Sequence, residues 1–229
     1  MKYEAVVFDL FGTLVRIAPY HENKKVLRQM AEVVGAPTDE FVMMWRDTIG
    51  LRMTGKLKDY QEAVRYICQE LQSPFDSSKV KLSANIRIDM EKNELTPREG
   101  AIEVLTRLKA ERLKAGLISD CSFAVPALWR ETSFSSLIDV AVFSCLEGRM
   151  KSDARIFQTA MEKLAVKPDH CVYVADGMGQ ELANSSKLGI HPVRIRIPEE
   201  IDSNPYREDW VGDTITSLFD VLGLFGLSR

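Results

Sequence analysis

The sequence is poor in the residues that build metal–thiolate and disulfide sites. Its 229 residues include only 3 histidines and 4 cysteines. Cys68, Cys121, Cys145 and Cys171 form no C-x-x-C pair, which argues against a zinc site. A chain of this length needs no disulfide staple. The thiols are therefore read as reduced and mostly buried, and the expected location is cytoplasmic. Long apolar runs are also missing. The most apolar tail, Ser217 to Leu227, is interrupted by Asp220 and falls short of the roughly 20 residues a spanning helix needs. The run Ala5-Val6-Val7-Phe8 is cut by Asp9 and is too short for a signal-peptide core. Positive charge is not in excess: 30 Lys and Arg against 33 Asp and Glu leave a net charge of −3. Nothing here attracts a phosphate backbone, so neither nucleic acid nor membrane is expected as a partner. There is no internal repeat and no low-complexity tract.

What is present is a globular composition, 45% hydrophobic and 28% charged, in a length that suits one large domain or a domain carrying an insertion. Ala5 to Phe8 reads as a buried central strand. From about Pro19 to Glu94 the pattern is helical. Val26, Leu27, Met30, Val33 and Val34 recur at helical spacing up to Gly35. Thr38 reads as an N-cap, Tyr60, Val64, Ile67 and Leu71 mark a third helix, and Ser78 reads as the cap of a fourth. After Pro97 strands and helices alternate. Strands are expected at Lys114 to Ile118, Val140 to Phe143, Cys171 to Ala175 and Pro192 to Ile197. Pro198 to Tyr206 reads as a loop, Trp210-Val211 as a last strand and Ile215 to Leu222 as a helix. Such alternation predicts an α/β fold, a parallel sheet interrupted by a helical insertion.

Polar residues fall at three predicted strand ends: Asp9, Ser119 and Asp176. Open α/β sheets bind ligands at that edge. Asp9 is followed by Gly12, whose turn lets a carboxylate and backbone N–H groups face an anion, and such a carboxylate can act as a covalent nucleophile. Taken alone, Ser119 also fits a turn cap, and Glu181 a helix-start carboxylate. Cys121 has no histidine near it in sequence, so Asp9 is the better nucleophile.

The ordered set resembles the haloacid dehalogenase-like hydrolase superfamily. Asp9 to Thr13 fits its D-x-x-x-T pattern, Gly116-Leu117-Ile118-Ser119 its second motif, Lys151 its lysine, and Asp176 to Glu181 its acidic cluster. The proline usual after the lysine is Ser152, and the glycine usual before the acidic cluster is Ala175. The resemblance implies a Rossmann-like core, residues 1–16 and 95–229, with a helical cap domain at 17–94. It implies Asp9 as nucleophile, with Thr13, Ser119 and Lys151 completing the catalytic set. Mg²⁺ would be held by Asp9, the Phe11 carbonyl, Asp176 and Glu181. Arg16, Arg46 and Asp120 are candidates for contacts with a small anionic substrate, and the chain is expected as a monomer or homodimer.

Position 11 departs from the family's phosphatases, which carry there a second Asp that protonates the leaving alcohol. Phe11 cannot transfer a proton. Two reactions stay open: Mg²⁺-dependent hydrolysis of phosphates with good leaving groups, and metal-independent dehalogenation of a 2-haloacid. The similar dehalogenases tolerate an aromatic at position 11 but carry Ser and Asn where this chain has Asp176 and Gly177. A third reading is a binding or regulatory protein that kept the scaffold without turnover.

Overall fold

The structure is a computed structural model and describes residues 3–198 and 207–228. Strand β1 (Ala5–Phe8) leads into helices α1 (Tyr20–Val34), α2 (Thr38–Asp47), α3 (Ile49–Met53), α4 (Tyr60–Glu70) and α5 (Ser77–Glu94). The chain then alternates: α6 (Ala101–Ala110), β2 (Lys114–Ser119), α7 (Ala124–Leu128), β3 (Val140–Phe143), α8 (Ser144–Glu147), α9 (Arg155–Leu164), β4 (Cys171–Ala175), α10 (Glu181–Lys187), β5 (His191–Ile195), β6 (Thr214–Ile215) and α11 (Asp220–Leu224). The six strands form one all-parallel sheet in the order β3-β2-β1-β4-β5-β6.

β1 is wholly apolar because both its faces are covered. Val6 and Phe8 join the core beneath α6 and α11, whereas Ala5 and Val7 join the core beneath α9 and α10. β4 repeats the division, with Val172 and Val174 on one face and Cys171, Tyr173 and Ala175 on the other. The order reverses at β1: connections run outward through β2 and β3 on one side and through β4, β5 and β6 on the other. That is the switch point at which α/β sheets open a crevice. Phe8 stands opposite Leu117 and Val174, so Asp9, Ser119 and Asp176 leave the sheet side by side.

The helices α1, α2, α4 and α5 bury a separate core that includes Met30, Phe41, Trp45, Tyr60 and Ile67. Contact with the sheet layer is close. Gly55, at φ +71°, lets the backbone meet the Cys145 carbonyl, where a Cβ would stand 2.1 Å away. Tyr60 donates to the Glu91 carboxylate, and Ser122 Oγ donates to the Tyr60 hydroxyl at 2.8 Å.

Several boundaries differ from the sequence reading. Asp76, not Ser78, caps α5 by accepting from the Ser78 and Lys79 N–H groups. Thr38 is already helical, with Pro37 ahead of it. The last strand is Thr214–Ile215 rather than Trp210-Val211. Arg194 N–H bonds the Asp213 carbonyl at 2.9 Å, so pairing to β5 starts only there, and Val211 stays exposed. Ile215 is thereby taken into the sheet, and the terminal helix begins at Asp220. The expected loop at 198–206 lies, apart from Pro198, outside the described residues. Among the described residues no helix is long and apolar enough to cross a membrane.

Candidate active site

Asp9 ends β1, with its N–H still bonded to the Val174 carbonyl at 2.9 Å, and is 3% exposed. The chain then turns tightly: Leu14 and Val15 both donate to the Leu10 carbonyl. This turn brings Thr13 back under the strand end, where its Oγ1 donates to Asp9 Oδ2 at 3.1 Å. Gly12 makes the turn possible at φ +88°, and a Cβ there would stand 2.4 Å from Asp176 Oδ2. Gly12→Ala is therefore expected to destabilise the fold by about 1–3 kcal/mol and to lower turnover about 10²-fold by displacing the carboxylates. Thermal unfolding and a steady-state assay check both.

Lys151 reaches the same point from the loop before α9. Its Nζ donates to Asp9 Oδ1 and to Glu181 Oε2, each at 2.5 Å, and the side chain is buried. Burial pulls the Lys151 pKa down. The surrounding carboxylates of Asp9, Glu181 and Asp120 outweigh that effect and hold it well above the usual lysine value. Glu181 opens α10 and is fully engaged. Its Oε2 also accepts the Tyr173 hydroxyl at 2.7 Å, while its Oε1 accepts the N–H groups of Gly177 and Met178 at 3.0 Å.

Asp176 lies beside this pair. Carboxylate oxygens of Asp9, Asp176 and Glu181 fall within 4.8 Å of one another, and all three residues are buried. Arg207 Nη2 stands 3.3 Å from Asp176 Oδ2, yet that oxygen receives no aligned hydrogen bond. Burial pushes the Asp9 carboxyl up to about 7, against the pull of Lys151. Burial, reinforced by Glu181 and Asp9, pushes Asp176 up to about 8. The protein's own cations thus leave the cluster short of positive charge.

The remaining expected residues divide. Ser119 is fully buried at the end of β2, its hydroxyl outside the carboxylate network. Asp120 accepts the Lys151 N–H at 2.9 Å and so fixes the backbone of that lysine. Phe11 is half-buried against the core. Arg16 is exposed and lines a cleft of about 1010 Å³ between its own linker, α1 and α5, a cleft that neither Asp9 nor Lys151 lines. Arg46 sits on the exposed side of α2, and its neighbour Trp45 takes the buried position. The buried arginine of this block is Arg52, held by the Trp45 carbonyl and Thr48 Oγ1 and stacked 4.2 Å from the Trp45 ring.

Tyr173, Asn184, Arg207 and Glu208 join the site without belonging to any of its sequence motifs. Asn184 Nδ2 donates to the Lys151 carbonyl at 3.1 Å. Glu208 accepts the Leu182 and Ala183 N–H groups at 2.8 and 3.0 Å, capping α10 from a distant segment. Only Tyr173 carried a signal, as the one polar group inside an otherwise apolar strand.

A family model described as haloacid dehalogenase-like hydrolase matches residues 3–182. The chain belongs to the haloacid dehalogenase-like hydrolases. Within this family it is 24% identical over 200 residues to the (S)-2-haloacid dehalogenase of Pseudomonas fluorescens, with 80% of each chain covered. It is 32% identical over 102 residues to the Rhythmically expressed gene 2 protein of Drosophila melanogaster, and that match covers 42% of this chain and 39% of the relative's length. The crystal structure of a haloacid dehalogenase-like phosphatase from Thermococcus onnurineus superposes with a TM-score of 0.68 at 19% identity, covering 99% of each chain. At that identity the likeness is one of fold. A hydrolase of this family therefore presents a buried carboxylate, Asp9, between a locked lysine and a second carboxylate, at the open end of a parallel sheet.

Proposed function

We propose that this haloacid dehalogenase-like hydrolase is a Mg²⁺-dependent phosphatase for small phosphorylated metabolites, forming an aspartyl phosphate on Asp9. Substrates with good leaving groups, such as acyl or aryl phosphates, suit it best. The observation that carries this reading is Asp176 beside Asp9. When all are ionised, Asp9, Asp176 and Glu181 exceed Lys151 and Arg207 by one negative charge. An anionic substrate entering that site meets net repulsion unless a cation joins it.

The residues fit such a cation. The donors are hard carboxylate oxygens, and Asp176 Oδ2 is buried without an aligned hydrogen bond. Asp9, Asp176 and the Phe11 carbonyl are assigned to hold it, and Glu181, already bonded to Lys151 and the Gly177-Met178 turn, braces them. Bound there, Mg²⁺ supplies Lewis-acid polarisation of a phosphoryl group.

In the assigned reaction an Asp9 oxygen attacks phosphorus, and the bond to the leaving oxygen breaks with its electron pair. Water then attacks phosphorus, the bond from phosphorus to the Asp9 oxygen breaks with its electron pair and restores the carboxylate, and the water's proton leaves with the phosphate. Lys151 and Thr13 orient the nucleophile through the bonds described above, and Lys151 offsets the charge gathered there. Ser119 is assigned to hydrogen-bond the transferred group. Asp120 positions Lys151, and Arg16 is left as a candidate for the substrate's outer end. The helices of residues 17–94 act as a cap that excludes water.

Two observations favour a second reading, dehalogenation of a 2-haloacid: halide departs without a proton, so Phe11 does no harm, and the (S)-2-haloacid dehalogenase match runs over 80% of the chain. A parallel assay of phosphate and halide release, with Mg²⁺ and with a chelator, separates the two. Phosphate release that vanishes on chelation is the expected result. Halide release from a 2-haloacid, unaffected by chelation, would overturn the phosphatase reading. Phe11→Asp restores a proton donor and is expected to raise hydrolysis of alkyl phosphates by about 10²-fold. No gain in a folded variant would count against phosphoryl transfer.

A further inference from the structure

We propose that Arg207 is a displaceable countercation that occupies Asp176 when no divalent ion is bound, withdraws when one enters, and thereby sets the cation affinity of the site. The proposal rests on the Mg²⁺ reading above.

The two cations of the site are held in different ways. Lys151 is buried and makes two short bonds, to Asp9 and Glu181. Arg207 makes one looser approach, 3.3 Å from Nη2 to Asp176 Oδ2, and neither Oδ2 nor the buried Arg207 Nε gains an aligned hydrogen bond from it. Its side chain is 24% exposed against 2% for Asp176. A guanidinium that has a rigid fork of donors and leaves them unaligned is in a pose that another cation can replace.

The backbone beneath it is fixed. Arg207 bridges to Met178, the Glu208 N–H bonds the Gly177 carbonyl at 2.8 Å, and the Glu208 carboxylate caps α10. The backbone therefore delivers the side chain to this carboxylate, while the 24% exposure of that side chain leaves it a side open to solvent. The site and the arginine are linked through one carboxylate oxygen. A divalent ion on Asp176 and the guanidinium on Asp176 exclude each other, which is a negative coupling.

Isothermal titration of Mg²⁺ into the full chain tests this, with Mn²⁺ and its paramagnetic resonance signal as a second readout. Arg207→Gln is expected to bind Mg²⁺ about tenfold more tightly than the natural protein. Arg207→Lys, which keeps the charge, is expected to stay within about threefold of it, and it serves as the folded comparison should the Gln variant unfold. Equal, measurable affinity in the natural protein and Arg207→Gln overturns the countercation role and leaves the Mg²⁺ reading standing. Weaker binding in Arg207→Gln overturns it too, since Arg207 would then be organising the ligands. Binding by neither protein overturns the Mg²⁺ reading itself, and the countercation role falls with it.

Discussion

Replacing Asp9 by Asn is expected to lower turnover by at least about 10⁴-fold, the scale on which removal of a covalent nucleophile acts. The amide keeps the shape of the side chain and still accepts the hydrogen bond from Thr13 Oγ1, but it cannot form the ester. Stability moves little. Burial already pushes the Asp9 carboxyl up to about 7, so a neutral side chain removes a desolvation penalty while weakening the partnership with Lys151. Lys151 keeps Glu181. A melting temperature within a few degrees of the natural protein, together with lost phosphate release, is the expected pair of results. Wild-type turnover in the Asn variant would remove Asp9 from the chemistry altogether.

Single-turnover hydrolysis in ¹⁸O-labelled water adds a second check on the same residue. Attack of water on phosphorus leaves the label in phosphate, whereas attack on the carbonyl carbon of an alkyl ester leaves it in the Asp9 carboxylate. The two reactions considered for Asp9 are thus distinguished by the location of one atom.

Lys151→Met has the other large effect, and it strikes stability and activity together. The lysine lies among buried carboxylates and bonds two of them at 2.5 Å. Removing one partner of a buried ionic group destabilises by about 3–5 kcal/mol, because the remaining charges stay buried without compensation. Turnover is expected to fall by about 10²–10³-fold through lost electrostatic stabilisation. The stability deficit depends on pH with a definite sign. A carboxyl whose pKa is raised in the folded state, as Asp9 is from 3.8 to about 7, contributes stability that is intact below the unfolded pKa. That contribution is lost as pH rises through the folded value. Without Lys151 the pKa rises further, so the variant is expected to lose more stability relative to the natural protein at pH 8 than at pH 5. Denaturant midpoints at the two pH values measure this directly. A deficit that is flat across that range would show that Lys151 does not neutralise the buried carboxylates.

Much of the architecture was legible from local pattern. The apolar run Ala5 to Phe8 could only be a strand covered on both faces, and the alternation after Pro97 required a parallel sheet. Boundaries failed where long-range pairing decides them. Ile215 has helix-compatible neighbours, yet the free edge of β5 recruits it as a strand. Trp210 and Val211 have strand-forming side chains but no partner edge at that register.

At the site, the sequence by itself determined which residues end the strands, Asp9, Ser119 and Asp176, and that Lys151 falls between the last two in chain order. Strand ends and turns follow from neighbours a few positions away, and the family's ordered motifs lie in the same short segments. Only the tertiary structure decided how those groups share charge. The bond from Lys151 to Asp9 spans 142 residues, and Arg207 reaches Asp176 from beyond β5. No periodicity signals such a contact. It exists because the sheet order places β1 beside β4, and because Glu208 pins its segment onto α10. Arg46 shows the converse. It neighbours Trp45 in sequence, yet a helix has one buried face, and the larger apolar ring takes it and leaves Arg46 on the exposed side.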